Sequence, residues 1–264
     1  MKTLLRLTNV RIISQLVFLG LFLFAVWASW TTRIQGYPVS RFLEIDLLVA
    51  LSTALSTGHI YRFLGWSILL LLLTVLFGRV FCSWMCPLGT LHQFFGWLFT
   101  VRSVKERQEQ NRYQPRQIIK YSILFILLFI AASGTVQIGL LDPIALLHRS
   151  VSSGVSVVWD FVMSKASFTN LQLAPGTPER LFTGSFWIGL VFVFIIVFNI
   201  WHPRFFCRTL CPLGALLGLL SLFPLFRIHR DTHLCTDCDL CLTRCEGASS
   251  PEGSLRLSEC LACM

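Results

Sequence analysis

The sequence predicts an all-α membrane protein: four transmembrane helices in two parallel pseudo-repeats, with short interfacial helices, followed by a small cysteine-rich domain. Three observations predict this: an apolar composition, a cysteine motif that occurs twice, and a dense run of cysteines near the end. Of 264 residues, 55% are hydrophobic and 13% charged, and mean hydropathy is +0.69. Soluble domains carry about 25% charged residues, so this chain is too apolar for water on all sides.

Four stretches approach the roughly 20 helical residues that cross a hydrocarbon core: Ile12 to Trp30, Leu64 to Val80, Ile118 to Leu141, and Phe182 to Trp201. The first follows Lys2, Arg6 and Arg11, as a signal peptide would. Its apolar run is longer than a signal core and ends at Trp27 and Trp30 without a small-x-small site, so it reads as an uncleaved anchor. Lys and Arg are retained on the cytoplasmic side. With the N-terminus inside, inner segments hold 16 of the 22 Lys and Arg residues: three before the first helix, seven from Arg79 to Lys120 and six from Arg204 onward. Both termini are therefore expected in the cytoplasm. The net charge of +9 follows from this topology, and its division among separate segments argues against a nucleic-acid partner. All ten cysteines fall on the inner side, where thiols stay reduced and serve as ligands or redox groups.

The membrane part repeats itself. GRVFCSWMCPLGTL (Gly78 to Leu91) and PRFFCRTLCPLGAL (Pro203 to Leu216) align without a gap at an offset of 125 residues. Because both halves run in the same direction, a pseudo-two-fold axis along the membrane normal would relate them. Upstream, FLEIDLLVALS echoes LLDPIALLHRS; runs this short are expected as interfacial or re-entrant helices. The segment Ser150 to Arg180 reads as an exposed outer connection. The domains expected are a first membrane half (1–100), a basic cytoplasmic linker solvated at anionic head groups (101–117), a second membrane half (118–226) and a cysteine-rich domain (227–264).

Cys235-x2-Cys238-x2-Cys241-x3-Cys245 is the spacing with which bacterial ferredoxins hold [4Fe–4S] cubes. Three thiolates of one tight loop cap one cube and the fourth reaches a neighbour. Zinc sites instead pair separated Cys-x2-Cys knuckles. A second motif, Cys260-x2-Cys263, begins just before Met264. Two cubes drawn from these six cysteines each lack one ligand, so the intact protein is expected to continue and hold two clusters. Glu246 replaces the proline that commonly follows the fourth cysteine.

Cys82 and Cys86, like Cys207 and Cys211, are four apart and share a helical face. Pro87 and Pro212 suit the first position of a new helix, which makes Cys86 and Cys211 N-cap-like. Helix N-termini and nearby Arg79, Arg204 and Arg208 should favour thiolate. Three uses remain open: one iron or iron–sulfur centre shared by all four, two redox dithiols, or structural or lipidated cysteines.

Two FCxxxCPLG motifs at the inner ends of spanning helices, followed by CxxCxxCxxxC, resemble the NapH and NosR group of polytopic ferredoxin-type membrane proteins. The resemblance covers essentially the whole chain, and the plan is closer to NapH, since no room is left for the outer flavin-binding domain of NosR-like members. It implies a quinol dehydrogenase component of the bacterial inner membrane. Such a protein oxidises menaquinol or ubiquinol from the quinone pool and relays electrons through iron–sulfur clusters to a partner redox subunit or reductase. A CcoG-like metal-reducing or metalloenzyme maturation factor is the alternative. Asp142, followed by Pro143, and Asp46, at the matching place, read first as helix N-caps. They and His148 are the candidates for taking protons from a quinol, with His59 a further helper. His92 reads as a head-group contact, and no two histidines match in depth as haem ligands would.

Overall fold

The computed structural model describes residues 2–30, 44–59, 64–99, 103–135, 137–166, 185–222, 224–226, 238, 240–245, 247–248 and 255–261. Helices dominate these residues and no strand occurs among them. The first half consists of α1 (Lys2–Trp30), α2 (Leu47–Thr57), α3 (Leu64–Phe77), α4 (Val80–Trp84) and α5 (Pro87–Phe99). A short helix α6 (Val104–Asn111) and a 3-10 turn (Pro115–Ile118) lead into the second half. There, α7 (Ile119–Ala132), α8 (Pro143–Ala166), α9 (Ser185–Trp201), α10 (Phe205–Thr209) and α11 (Pro212–Leu220) follow; α8, at 24 residues, is longer than the short interfacial helix expected and runs into the segment expected as an exposed connection. The end carries α12 (Leu240–Arg244) and a 3-10 turn, Leu257–Glu259.

Two helices are long and apolar enough to cross a membrane, Thr8–Ala28 and Pro115–Ala132. The other two expected spans are shorter among the described residues, with 14 residues in α3 and 17 in α9. The third expected span stops nine residues before Leu141, because the chain turns at Gly134, whose φ of +92° suits glycine. Large apolar side chains stand exposed on all these helices, among them Leu16, Phe24, Leu69, Leu72, Phe125, Phe129, Val193 and Phe194. Exposed faces of this kind suit lipid rather than water.

Packing crosses between the halves in a matched way. The motif helix α5 packs against α1 of its own half and against α8 and α9 of the other. Correspondingly, α11 packs against α7 of its own half and against α2 and α3 of the other. The buried core includes Phe22, Leu48, Leu88, Leu124, Ile144, Phe206, Leu213 and Leu217, and it surrounds the cysteine motifs. Phe81 and Phe206, equivalent residues one before the first cysteine of each motif, are both buried.

Candidate functional site

Each cysteine motif folds through the same turn. In the first copy the amides of Met85 and Cys86 both reach the Phe81 carbonyl, at 3.0 and 2.9 Å. In the second copy those of Leu210 and Cys211 reach Phe206, both at 2.9 Å. This tightening ends the five-residue helices α4 and α10, and the proline that follows starts a new helix in each case. Cys211 caps α11 by accepting the Gly214 amide on its sulfur at 3.2 Å. Glycine is needed where the two helices meet their motifs. A Cβ on Gly89 would lie 2.6 Å from the Cys82 carbonyl oxygen, and one on Gly214 would lie 2.8 Å from Arg79 Nη2.

Cys86, Cys207 and Cys211 are buried and Cys82 is half-buried. Burial pushes the Cys86 and Cys211 thiols well above their ordinary value, and the neighbouring Cys207 and Cys82 push further in the same direction. Loss of water thus works against the amides of the helix N-terminus, which pull the other way. Among the described residues no three His, Cys, Asp or Glu side chains gather tightly enough to hold a single ion. Four sulfurs round one tetrahedral ion would lie about 3.8 Å apart, from metal–sulfur bonds of about 2.3 Å. Four sulfur donors from two motifs, with cationic Arg79 beside Cys211, are the donor chemistry that an anionic iron–sulfur cluster takes.

The cysteine-rich end is sewn to this region by buried polar contacts. Arg79 Nη1 donates to the Ser258 carbonyl at 2.9 Å and pairs with Glu259 Oε2 at 3.4 Å. Lys120 Nζ donates to Glu259 Oε1 at 2.7 Å, and the Tyr121 hydroxyl reaches the same oxygen at 3.3 Å. Ser83 Oγ donates to the Leu261 carbonyl at 2.7 Å. Cys260 is thereby held between two docked residues, opposite the residue after Cys82. Asn111 donates to the Leu242 carbonyl at 2.7 Å and so anchors α12, which carries Cys241. Cys238 and Cys241 are exposed and Cys245 and Cys260 half-buried, while Cys235 and Cys263 lie outside the described residues.

The linker differs from the solvated loop expected. Ser103 and Glu106 form a capping box that starts α6, Asn111 and Gln117 are buried, and Arg208 donates to the carbonyls of Gln110 and Arg112 at 2.9 and 3.0 Å.

The two carboxylates meet. Asp46 caps α2, its Oδ1 accepting the Leu48 amide at 2.8 Å, and Asp142 Oδ2 accepts the amides of Ile144 and Ala145 at 3.1 and 2.8 Å. Both are fully buried, and the remaining oxygens, Asp46 Oδ2 and Asp142 Oδ1, meet no N–H or hydroxyl donor. Burial holds both carboxyls above the usual carboxylate range, and the neighbouring Asp142 raises Asp46 further. A small apolar cavity is lined by Phe18, Ile45, Phe81, Met85, Pro87 and Ile144. Its lining thus takes in a neighbour of Asp46, a residue two on from Asp142, and the residues flanking Cys82 and Cys86.

His148 is half-buried on α8, with Nε2 3.4 Å from Ser152 Oγ, and burial and Arg149 lower its pKa. His59 is exposed beyond the end of α2. His92 corrects the head-group reading: it is 1% exposed, stacked on Phe206, and burial lowers its pKa to about 4. Sequence reasoning passed over Gln15, which donates to the Ser83 carbonyl at 2.6 Å, and Asn199, which bridges the His92 carbonyl and the Arg204 amide, each at 2.8 Å. Polar residues in otherwise apolar runs were the signal available.

The family model described as a 4Fe-4S binding domain matches the chain twice, over residues 59–105 and 183–231, each match containing one Cys-x3-Cys-Pro motif. YccM of Escherichia coli K12 is 30% identical over 248 residues, which is 90% of this chain and 62% of YccM. The methylamine utilization ferredoxin-type protein MauN of Paracoccus denitrificans is 26% identical over 80% of this chain and 56% of its own length. The regulatory protein NosR of Stutzerimonas stutzeri is 26% identical over 72% of this chain and 23% of NosR. The chain therefore spans less than two thirds of the length of YccM, MauN or NosR. No solved structure matches it. The chain thus carries two segments that match a 4Fe-4S binding domain, and it is similar to the ferredoxin-type protein MauN and to NosR.

Proposed function

We propose that the chain is a membrane electron carrier that oxidises quinol. The ring enters at the small apolar cavity beside the Cys82–Cys86 turn, whose lining must part to widen its 20 Å³, and electrons leave toward the cysteine-rich domain. The observation that carries this reading is that one small apolar cavity is lined by sequence neighbours of both carboxylates, Ile45 and Ile144, and of both cysteines, Phe81, Met85 and Pro87. Oxidation of quinol to quinone releases two electrons and two protons. The carboxyl pair takes the first proton and must pass it on to water before it takes the second. Phe18, Phe81 and Met85 keep water from the reacting hydroxyl. Cys82, Cys86, Cys207 and Cys211 would hold one iron–sulfur centre, and Cys235, Cys238, Cys241, Cys245, Cys260 and Cys263 would supply ligands for two [4Fe–4S] clusters. Bound clusters supply one-electron acceptance at potentials tuned by burial and hydrogen bonds to sulfur. Arg79 and the amides of Gly214, Gly89 and Leu88 are among the groups that offset charge on the sulfurs.

The matched packing of α5 and α11 supports a pseudo-two-fold relation between the halves, with four crossings of a bacterial inner membrane and both termini in the cytoplasm. YccM is named as a candidate electron transport protein, and MauN as ferredoxin-type, which agrees with an electron-carrying role and a redox partner subunit or reductase. The test is to purify the protein without oxygen and add a short-chain menaquinol or ubiquinol analogue. Bleaching of the visible iron–sulfur absorbance within the mixing experiment is expected; an unchanged spectrum with both quinols, in protein that dithionite reduces, would defeat the proposal.

A further inference from the structure

A carboxylate buried among cations needs a reason, since removing charge from water is costly unless partners repay it. Glu259 is 6% exposed and faces Lys120 and Arg79, themselves 0% and 1% exposed. It sits next to Cys260, and its two cationic partners come from separate halves of the membrane part. Arg79 stands beside the sulfurs: Cys82 and Cys211 both act on its charge, and it occupies the space that a side chain on Gly214 would take. Its guanidinium is turned by Glu259 and by the Ser258 carbonyl, 2.9 Å away. Close approach is enforced elsewhere in the same contact. A Cβ on Gly218 would lie 2.8 Å from the Ser258 oxygen, and Ser83 holds the Leu261 carbonyl.

We propose that Glu259 is the positioning residue that docks the Cys260 segment onto the Cys82–Cys86 turn, and that this contact is where electrons cross between the membrane-side sulfur site and the cysteine-rich domain. The proposal rests on the function argued above only for the crossing itself. The docking stands on hydrogen bonds and burial alone. Two short covalent steps flank the contact, from Cys82 to Ser83 and from Leu261 to Cys260, and one hydrogen bond of 2.7 Å joins them. Lys120 and Arg79 together exceed Glu259 by one positive charge, which suits a neighbour made of anionic sulfur.

Trypsin reads the docking without quinol. Arg256 is exposed, stacks on Tyr113 at 3.5 Å and lies just before the docked turn. In detergent-solubilised full-length holoprotein, Glu259→Gln should speed cleavage after Arg256 at least about tenfold, because it strands two buried cations and opens the turn. Iron and acid-labile sulfide should stay at the wild-type level. In anaerobic stopped-flow the membrane-side signal should be reduced by quinol at the wild-type rate, while reduction of the cysteine-rich domain lags at least about tenfold. Should Glu259→Gln fail to accumulate, the Lys120→Met/Glu259→Gln pair removes both charges, and it should fold and still show the lag. Cleavage and electron arrival both unchanged, in either variant, would overturn the proposal. Failure of quinol to reduce the wild-type protein would instead defeat the proposed function, leaving the cleavage result to decide the docking.

Discussion

Replacing Asp46 by asparagine separates a helix cap from a proton acceptor. The side-chain carbonyl oxygen of the Asp46→Asn variant can still accept the Leu48 amide that Asp46 Oδ1 holds at 2.8 Å, and Asn and Asp are about equal as caps, so folding should change by less than about 0.5 kcal/mol. The new NH2 group can also donate to Asp142 Oδ1, which now meets no N–H or hydroxyl donor. Asp46→Ala differs: it removes the cap, at about 1 kcal/mol, and leaves the buried Asp142 carboxyl unpaired, at a further ~1–3 kcal/mol. If the pair takes the quinol proton, Asp46→Asn should slow quinol-driven reduction by about 10²- to 10⁴-fold, the usual worth of a positioned base. Reduction by dithionite should be unchanged. The pH dependence has a definite sign. A raised carboxyl pKa means the pair is fully protonated in acid, so the wild-type rate rises with pH through a value above the usual carboxylate range. The asparagine variant should lose that rise. Anaerobic stopped-flow against quinol from pH 5 to 8 would measure both. A variant with the wild-type rate and wild-type pH profile would refute the proton role and leave Asp46 as a cap alone.

Gly89→Ala places a Cβ 2.6 Å from a backbone oxygen and should cost about 1–3 kcal/mol, lowering both melting temperature and iron content, whereas Gly154→Ala, with nothing within 4 Å, should do neither. His92, with its pKa lowered to about 4 and its ring nitrogens outside hydrogen-bond geometry, should stay neutral from pH 5 to 8; His92→Phe should therefore leave the pH profile unchanged and melt at or above the wild-type temperature. Asn111→Ala removes the buried amide that holds the Leu242 carbonyl and should loosen α12 by about 1–2 kcal/mol, read as faster alkylation of Cys241 in apoprotein.

The cysteine motifs were the most legible part of the molecule, because a gapless 125-residue offset carries the same five-residue helix, the same pair of hydrogen bonds to the Phe81 or Phe206 carbonyl and the same proline start. Asp142-Pro143 and its counterpart Asp46 were readable as caps because capping is local chemistry. Their meeting was not readable. It depends on how deeply α2 and α8 reach into the core, and only packing of α2 on α7 and α11, and of α8 on α1 and α5, sets that depth. Span lengths misled for a related reason: hydropathy does not register the turn at Gly134, which ends α7 before the apolar run does. Lys120 was a signal overlooked. Counted as an inner-loop charge, it is 0% exposed inside the bundle and reaches Glu259, a partner 139 residues away that no local pattern joins to it. His92 was misread because its helix is amphipathic, and the polar residue there faces inward to Phe206.

The central claim is that the two Cys-x3-Cys-Pro motifs jointly hold an iron–sulfur centre beside the carboxyl pair. Iron and acid-labile sulfide counted in anaerobically purified full-length protein, and again in a variant with serine at residues 82, 86, 207 and 211, test it directly. The account predicts that the variant loses the iron and sulfide of one cluster and its electron paramagnetic resonance signal, while the signals of the cysteine-rich domain persist. Equal iron and sulfide in the two proteins, with identical spectra, would contradict it.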